Sequence, residues 1–311
     1  MRCLKLLKNV IDEMWQCSMG EMKENLMSNS KKIISYLIPD KVFIKHKYYV
    51  RMGIKLNLKH PQRYTEKLQW LKLHLRKHQF IKMVDKYEVK PYVASIIGDE
   101  YIIPTLGVWN HFDEIDFNSL PNSFVLKCTH DSGGIFIVKD KNQMDMDRAK
   151  SILETSLKRD YYIAGREWPY KKVKRRIIAE KYLEDSNDKE LRDYKFFAFD
   201  GKVPYMFIAT DRFKDSDTCF DFYDSEFNHL NIINGHPNAK FKPSKPSNFQ
   251  LMLELASKLS IGIPHVRVDF YEVDGRVYFG EMTLFHHSGF VPFEPDEWDY
   301  IFGEWIKLPT K

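Results

Sequence analysis

Two Asp-Gly dipeptides, Asp200-Gly201 and Asp274-Gly275, each stand between two β-rich runs, and they constrain the fold more than any other feature of the chain. Asp-Gly suits the two-residue hairpin turn in which both residues take positive φ. The first joins residues 193–199 to 203–209 and the second joins 266–271 to 276–280, so both pairs are expected to run antiparallel. Three more short β-rich runs, 123–127, 134–138 and 176–183, are separated by turn-forming residues. Helical spacing marks 64–75 (Leu68, Trp70, Leu71, Leu73, Leu75), 82–97 and 251–259. Hairpins mixed with helices predict an α+β fold rather than alternating parallel βαβ units.

At 311 residues, 43% of them apolar and 29% charged, the composition is that of a soluble globular chain long enough for about two domains. The longest apolar stretches, such as 205–209, fall far short of the ~18 residues of a membrane span. Arg2, Lys5 and Lys8 interrupt the N-terminal leucines, so no secretory signal is expected. Four scattered cysteines (Cys3, Cys17, Cys128, Cys219) suit a reducing compartment, and the protein is read as cytoplasmic. Residues 1–60 hold 12 Lys+Arg against 5 Asp+Glu, a local +7 in a chain of net +5. Leu4, Leu7, Ile11 and Met14 give this segment an amphipathic helical pattern. Such a helix packs on its own domain or lies peripherally on the inner face of a membrane. The expected division is a basic helical segment over 1–60, a helical lead-in with a first subdomain over 61–180, and a second subdomain over 181–311.

Several constellations could carry chemistry. Lys127 ends a strand and precedes a loop of small residues with His130, Ser132, Gly133 and Gly134. Such a loop brings backbone N–H groups to phosphate oxygens beside a countercharge, although a plain hairpin reads the same way. The Asp131–Gly134 run imitates a serine-protease nucleophile segment, without the histidine base or oxyanion hole that chemistry needs. Asp269 and Glu281, on the two strands of one hairpin, are the paired carboxylates that Mg²⁺ on a polyphosphate requires; Arg267 adds a fixed cation. Segment 177–183, with Glu180, is either a purine wall or a strand leaving the core. The basic run 171–176 reads as a solvated face, and no nucleic-acid-binding module accompanies it. Asp145/Asp147 and Asp215/Asp217 fit the DxD pattern of nucleotide-sugar transferases, which makes a glycosyltransferase the rival reading. His286 and His287, if on a strand, face opposite ways and share no ion.

In chain order, Asp85-Lys86, 124–127 with its Gly loop, 180–183, Arg267 with Asp269, and Glu281 with Thr283 resemble the ATP-grasp superfamily. More narrowly, 64–67, 85–87, 106–109, Phe112, Leu120-Pro121, 267–271 and Gly280-Glu281 look like the TupA-like ATP-grasp proteins, named for teichuronopeptide biosynthesis. The resemblance covers roughly 60–308. It implies two α+β subdomains clasping ATP, preceded by the helical N-terminal segment. It places Lys86 and Lys127 on the nucleotide phosphates, with Lys195 a further contact and His130 to Gly134 closing over them. It gives the adenine to Glu180, Lys181, Tyr182 and Leu183, and Mg²⁺ to Asp269, Glu281 and Thr283, the last standing where many ATP-grasp enzymes carry asparagine. Arg267 then steadies the intermediate, and Ser288 lies in a small-residue turn against the substrate. The implied activity is a carboxylate–amine ligase working through an acyl phosphate in capsule or other surface-polysaccharide synthesis. Its substrate is a uronic acid, an amino acid or a growing glycan.

Overall fold

The computed structural model describes residues 35–186, 191–211 and 218–309. The amphipathic pattern of residues 4–14, Cys3, Cys17 and the Asp215/Asp217 pair lie outside them. Two sheets organise the chain. The smaller runs β1–β4–β2–β3, with β1 at Thr105–Trp109, β2 at Phe124–Cys128, β3 at Ile135–Val138 and β4 at Ile177–Lys181. The larger runs β10–β9–β5–β6–β7–β8. Its strands are β5 (Asp193–Phe199), β6 (Lys202–Thr210), β7 (Cys219–Asp224), β8 (His229–Leu230), β9 (Val266–Val273) and β10 (Arg276–Thr283). All strand pairs within the two sheets are antiparallel.

Both Asp-Gly turns form as expected, with φ of 46° and 82° at Asp200-Gly201 and 49° and 72° at Asp274-Gly275. Positive φ at both positions matches the right-handed twist of the flanking strands. Strand β5 is buried along its whole length because helices cover both faces of the sheet. On one face Phe196 meets Phe249 of helix Phe249–Ser260 and Phe270 of β9. On the other Phe197 meets Tyr64 of helix Tyr64–His74 and Phe302 of helix Glu297–Trp305. Helices Tyr64–His74, Gln79–Val84 and Val89–Ile97 thus share their core with the larger sheet. A separate core holds the smaller sheet against helix Met146–Lys158 through Leu126, Ile177, Ala149 and Leu153.

Strands β1, β7 and the two-residue β8 fall outside the predicted runs. β1 is a half-exposed edge strand with Gly107 at its centre, so the apolar pattern that marks buried strands is missing. The Asp145/Asp147 pair opens a helix: the Asp145 side chain accepts the Arg148 N–H at 2.9 Å as its N-cap. Among the described residues no helix is long and apolar enough to cross a membrane.

The N-terminus of helix Tyr64–His74 is capped from the far end of the chain. Asp299, fully buried, accepts the Thr65 N–H at 2.9 Å and the Thr65 hydroxyl at 2.7 Å. Removing it strands two buried donors. Asp299→Ala is expected to lower stability by about 2–4 kcal/mol, against about 1 kcal/mol or less for exposed Asp296→Ala. Denaturant melts of both variants check this, and equal losses would refute it.

Candidate active site

The centre of the site is written into the pairing of β9 and β10. From the turn outward, Arg276 pairs with Val273 and Phe279 with Phe270. A bulge at Gly280 then shifts the register by one residue, so that Glu281 opposes Asp269 and Thr283 opposes Arg267. Without it Glu281 would point to the opposite face of the sheet. Lys195 of β5 pairs with Asp269 from the other side. One face therefore gathers Lys195, Arg267, Asp269, Glu281 and Thr283.

Arg267 forks onto Asp269 at 2.7 Å through both Nε and Nη2, and Nη2 also reaches Glu281 at 2.8 Å and Thr283 at 3.0 Å. Lys195 donates to Asp269 and lies 2.6 Å from Asp193. Three carboxylates thus face two cations. Burial raises Asp269 to about 6 against the opposing pull of Arg267 and Lys195. Glu281 goes the other way: burial pushes it up, but Lys195 and Arg267 outweigh that and hold it well below the carboxylate range. Asp269 is 1% exposed and the Glu281 side chain 40%, so Glu281 is the acid that faces solvent.

His286 completes the setting of Arg267. The amide nitrogen of Asn234 donates to the carbonyls of Val291 and Pro292 at 3.3 and 2.9 Å, which turns its oxygen toward His286 Nε2 at 2.9 Å. Nε2 must then carry the proton, and Nδ1 accepts from Arg267 Nη1 at 2.7 Å. Burial, with the charge of Arg267, drives the His286 pKa far down and keeps the ring neutral. Neither His286 nor His287 sits on a strand. They begin a tight turn after β10, with ring centroids 4.1 Å apart, which replaces the expected opposite facing.

The smaller sheet contributes a second ion cluster. Glu180 pairs with Val125 across β4 and β2, so its carboxylate and Lys127 share a face as diagonal neighbours. Lys127 Nζ lies 2.6 Å and Lys90 Nζ 2.5 Å from the two Glu180 oxygens. Burial pushes Glu180 up, but Lys127 and Lys90 overcome it and hold the pKa at about 2. Lys127 is raised, burial being outweighed chiefly by Glu180 with help from Tyr271 and Glu281. The exit from β4 follows: the Lys181 N–H donates to Pro104, and Leu183 packs with Ile103 and Val273 beside Tyr271.

Beside the Arg267 cluster opens a cleft of about 230 Å³, bounded by β10, Lys86, the loop at Asp131 and Ser132, and the turn at His287 and Ser288. Of the residues predicted from sequence, it brings together Lys86, Ser132, Arg267, Glu281, Thr283 and Ser288. Lys127 on β2, Glu180 on β4 and Lys181 to Leu183 at its exit do not line it, and Asp269 and Lys195 lie beneath the lining, held to Arg267 and to each other. Lys86 donates to the Asp131 carbonyl, tying it to the glycine loop at 128–134. His130 is buried against the Arg159 carbonyl and does not line the cleft, nor do Gly133 and Gly134. The wall also contains Tyr161, Glu167 and Tyr170, which sequence reasoning missed. Their spacing follows no strand or helix period; the only available signal is two acids and three tyrosines in the otherwise basic stretch 158–176.

The two antiparallel sheets, with a charged cluster on each, form an ATP-grasp fold. Residues 66–307 match the family described as TupA-like ATPgrasp, and the chain belongs to that family. No curated protein matches it. Among solved structures, an L-amino acid ligase from Bacillus licheniformis is 12% identical with a TM-score of 0.47, covering 79% of this chain and 56% of that one. D-Alanine-D-alanine ligase from Helicobacter pylori is 15% identical with a TM-score of 0.44, covering 80% and 68%. The ADP complex of purK, an N5-carboxyaminoimidazole ribonucleotide synthetase, is 13% identical with a TM-score of 0.43, covering 78% and 56%. The chain spans between just over half and about two thirds of these proteins.

The Glu180 cluster sets a pH dependence. A folded pKa of about 2 against an ordinary 4.5 means the carboxylate stabilises the fold above pH 4.5, and that contribution fades as pH falls toward 2. The shift corresponds to about 3 kcal/mol. Glu180→Gln is expected to cost roughly that at neutral pH, with the gap to wild type narrowing as pH is lowered from about 5 toward 3. Melting curves across that range check it; a constant gap would exclude the ion pairs as its source.

Proposed function

We propose that this protein is an ATP- and Mg²⁺-dependent ligase that activates a carboxylate and joins it to an amine. What carries the reading is the Arg267–Asp269–Lys195–Glu281 cluster at a cleft, in a chain of the ATP-grasp family. The donor set suits Mg²⁺: two carboxylates and a hydroxyl, all hard oxygens, with excess negative charge. Among the described residues no three His, Cys, Asp or Glu side chains form a metal cage. That also suits Mg²⁺, which takes one or two carboxylates and fills its remaining positions with water and substrate phosphate. Asp269, Glu281 and Thr283 would hold the ion, which supplies charge neutralisation at the phosphates.

In this reading Lys86, Lys127 and Lys195 bind the ATP phosphates beside the glycine loop, and Glu180 with Lys181 to Leu183 takes the adenine. The substrate carboxylate attacks the γ-phosphorus, ADP leaves, and an acyl phosphate forms. The amine then adds to the acyl carbon and phosphate departs, with Arg267 stabilising the oxyanion between these events. Arg267 suits that role because its charge is permanent and its plane is fixed by Asp269 and His286. The family's naming for teichuronopeptide synthesis supports a uronic acid, amino acid or surface glycan as substrate. Cytoplasmic placement, with the basic N-terminal residues against the inner face of the membrane, belongs to the same proposal.

Thermal stabilisation tests the nucleotide half. Mg-ATP at 100 times its Kd is expected to add about 2.7 kcal/mol to the folded state, while UDP-glucose, UDP-glucuronate and GDP-mannose add nothing. Asp269→Asn should weaken the nucleotide response and reduce ADP release by on the order of 100-fold or more. A response confined to sugar nucleotides would overturn the ligase in favour of glycosyl transfer.

A further inference from the structure

One wall of the cleft has no part in the scheme so far. Glu167 is 5% exposed yet lines the cleft, flanked there by Tyr161 and Tyr170, whose ring centroids are 4.7 Å apart at 65°. The Ser288 hydroxyl donates to Glu167 Oε1; among the described residues Oε2 receives no donor. This position is built with care. Helix Tyr161–Gly165 ends at Arg166, whose φ is 54° and whose guanidinium is clamped over Phe43 at 4.3 Å and against Ser35 at 2.7 Å. At Gly165 a Cβ would stand 2.3 Å from Ser288 Oγ and 2.9 Å from Glu167 Oε1, so only glycine leaves the carboxylate where it is.

We propose that Glu167, with the rings of Tyr161 and Tyr170, is the recognition site for the ammonium form of the amine substrate and accepts its proton. A carboxylate that lines a cleft together with two tyrosine rings is the chemistry that selects a cationic nitrogen: one full charge, plus ring quadrupoles that attract cations. The inference rests on the ligase reading and deepens it by naming the nucleophile as a primary ammonium compound. One N–H bond of the ammonium breaks and its proton passes to Glu167. The freed nitrogen lone pair forms the C–N bond at the acyl carbon, the carbon–oxygen bond to phosphate breaks, and the departing phosphate takes the second proton. Burial raises the Glu167 carboxyl from its ordinary value, and Lys72, Lys47 and Arg267 draw it back, which brings a carboxylate nearer to the basicity a proton acceptor needs.

The test uses the full-length chain with Mg-ATP and a panel of glucuronate, galacturonate and L-glutamate as carboxylates. Each is paired with hydroxylamine, largely neutral at neutral pH, and with L-alaninamide or ethanolamine, which are largely ammonium. Glu167→Gln is expected to depress amide formation with the ammonium nucleophiles by about 100-fold more than hydroxamate formation. Glu167→Asp, which keeps the charge, should show the same split less severely, and it carries the comparison if the glutamine variant fails to fold. Equal losses with both nucleophiles, or no loss with either, would overturn the assignment, since a merely structural role does not distinguish them. If wild type makes no hydroxamate from any carboxylate, the ligase reading itself falls and takes this inference with it; hydroxamate without the split removes Glu167 alone.

Discussion

The fork of Arg267 onto Asp269 is the interaction around which the larger sheet is arranged. Both groups are buried, and a buried pair of this kind adds little net stability, because desolvation offsets the Coulombic gain. Its neighbours are chosen to keep it charged. Lys195 reaches across from β5, Glu281 arrives by way of the bulge, and His286 is held neutral so that Arg267 meets a lone pair rather than a second cation. An apolar set of similar volume would fill the same space at no loss to the fold. The excess of one carboxylate, left facing a cleft, is what an added divalent cation would balance.

The two sheets divide the electrostatics. The cluster on β9 and β10 is short of positive charge, whereas Glu180 on β4 is held by two lysines. Lys127 already belongs to both, paired to Glu180 and raised further by Glu281. Lys127 comes from the smaller sheet, whereas Lys86 stands between two helices packed on the larger one and reaches the loop at Asp131. Neither cluster is neutral alone, and the surplus carboxylate of one is offset by the surplus lysine of the other.

Much of this was legible where strands are regular. Arg267 and Asp269 are two residues apart, so period-two alternation puts them on one face, and the Asp-Gly turn fixes which strand they meet. The proximity of Asp269 to Glu281 was read from the hairpin, but simple hairpin counting would have turned Glu281 away; only the bulge at Gly280 brings it back. The adjacent histidines were misread for a related reason, because a strand was extended through a turn. Glu167, Tyr161 and Tyr170 were invisible, since a short helix, a left-handed residue and a 3-10 turn carry them to the cleft with no period to read. The capping of helix Tyr64–His74 by Asp299 joins residues 234 positions apart, which no local pattern announces.

The least local feature is the turn that lines the cleft at His287 and Ser288. His287, Ser288 and Gly289 take φ of 49°, 52° and 61° in succession, and for two non-glycine residues that conformation costs on the order of 1–3 kcal/mol each. It persists because its carbonyls are held from outside. Lys72 donates to the Ser288 oxygen at 2.6 Å, and Gln69 donates to Ser288 and Gly289 at 2.9 and 2.7 Å. Both donors lie on the inner face of helix Tyr64–His74, the helix that Asp299 caps. Burial lowers Lys72 to about 7, so an ammonium that would be stable in water is kept poised there to grip one turn and the Gly165 carbonyl at 2.8 Å. The same lysine thereby fixes both ends of the contact between Ser288 and Glu167. The contact between Ser288 and Glu167 is thus held by a helix whose own N-terminus is capped from the far end of the chain.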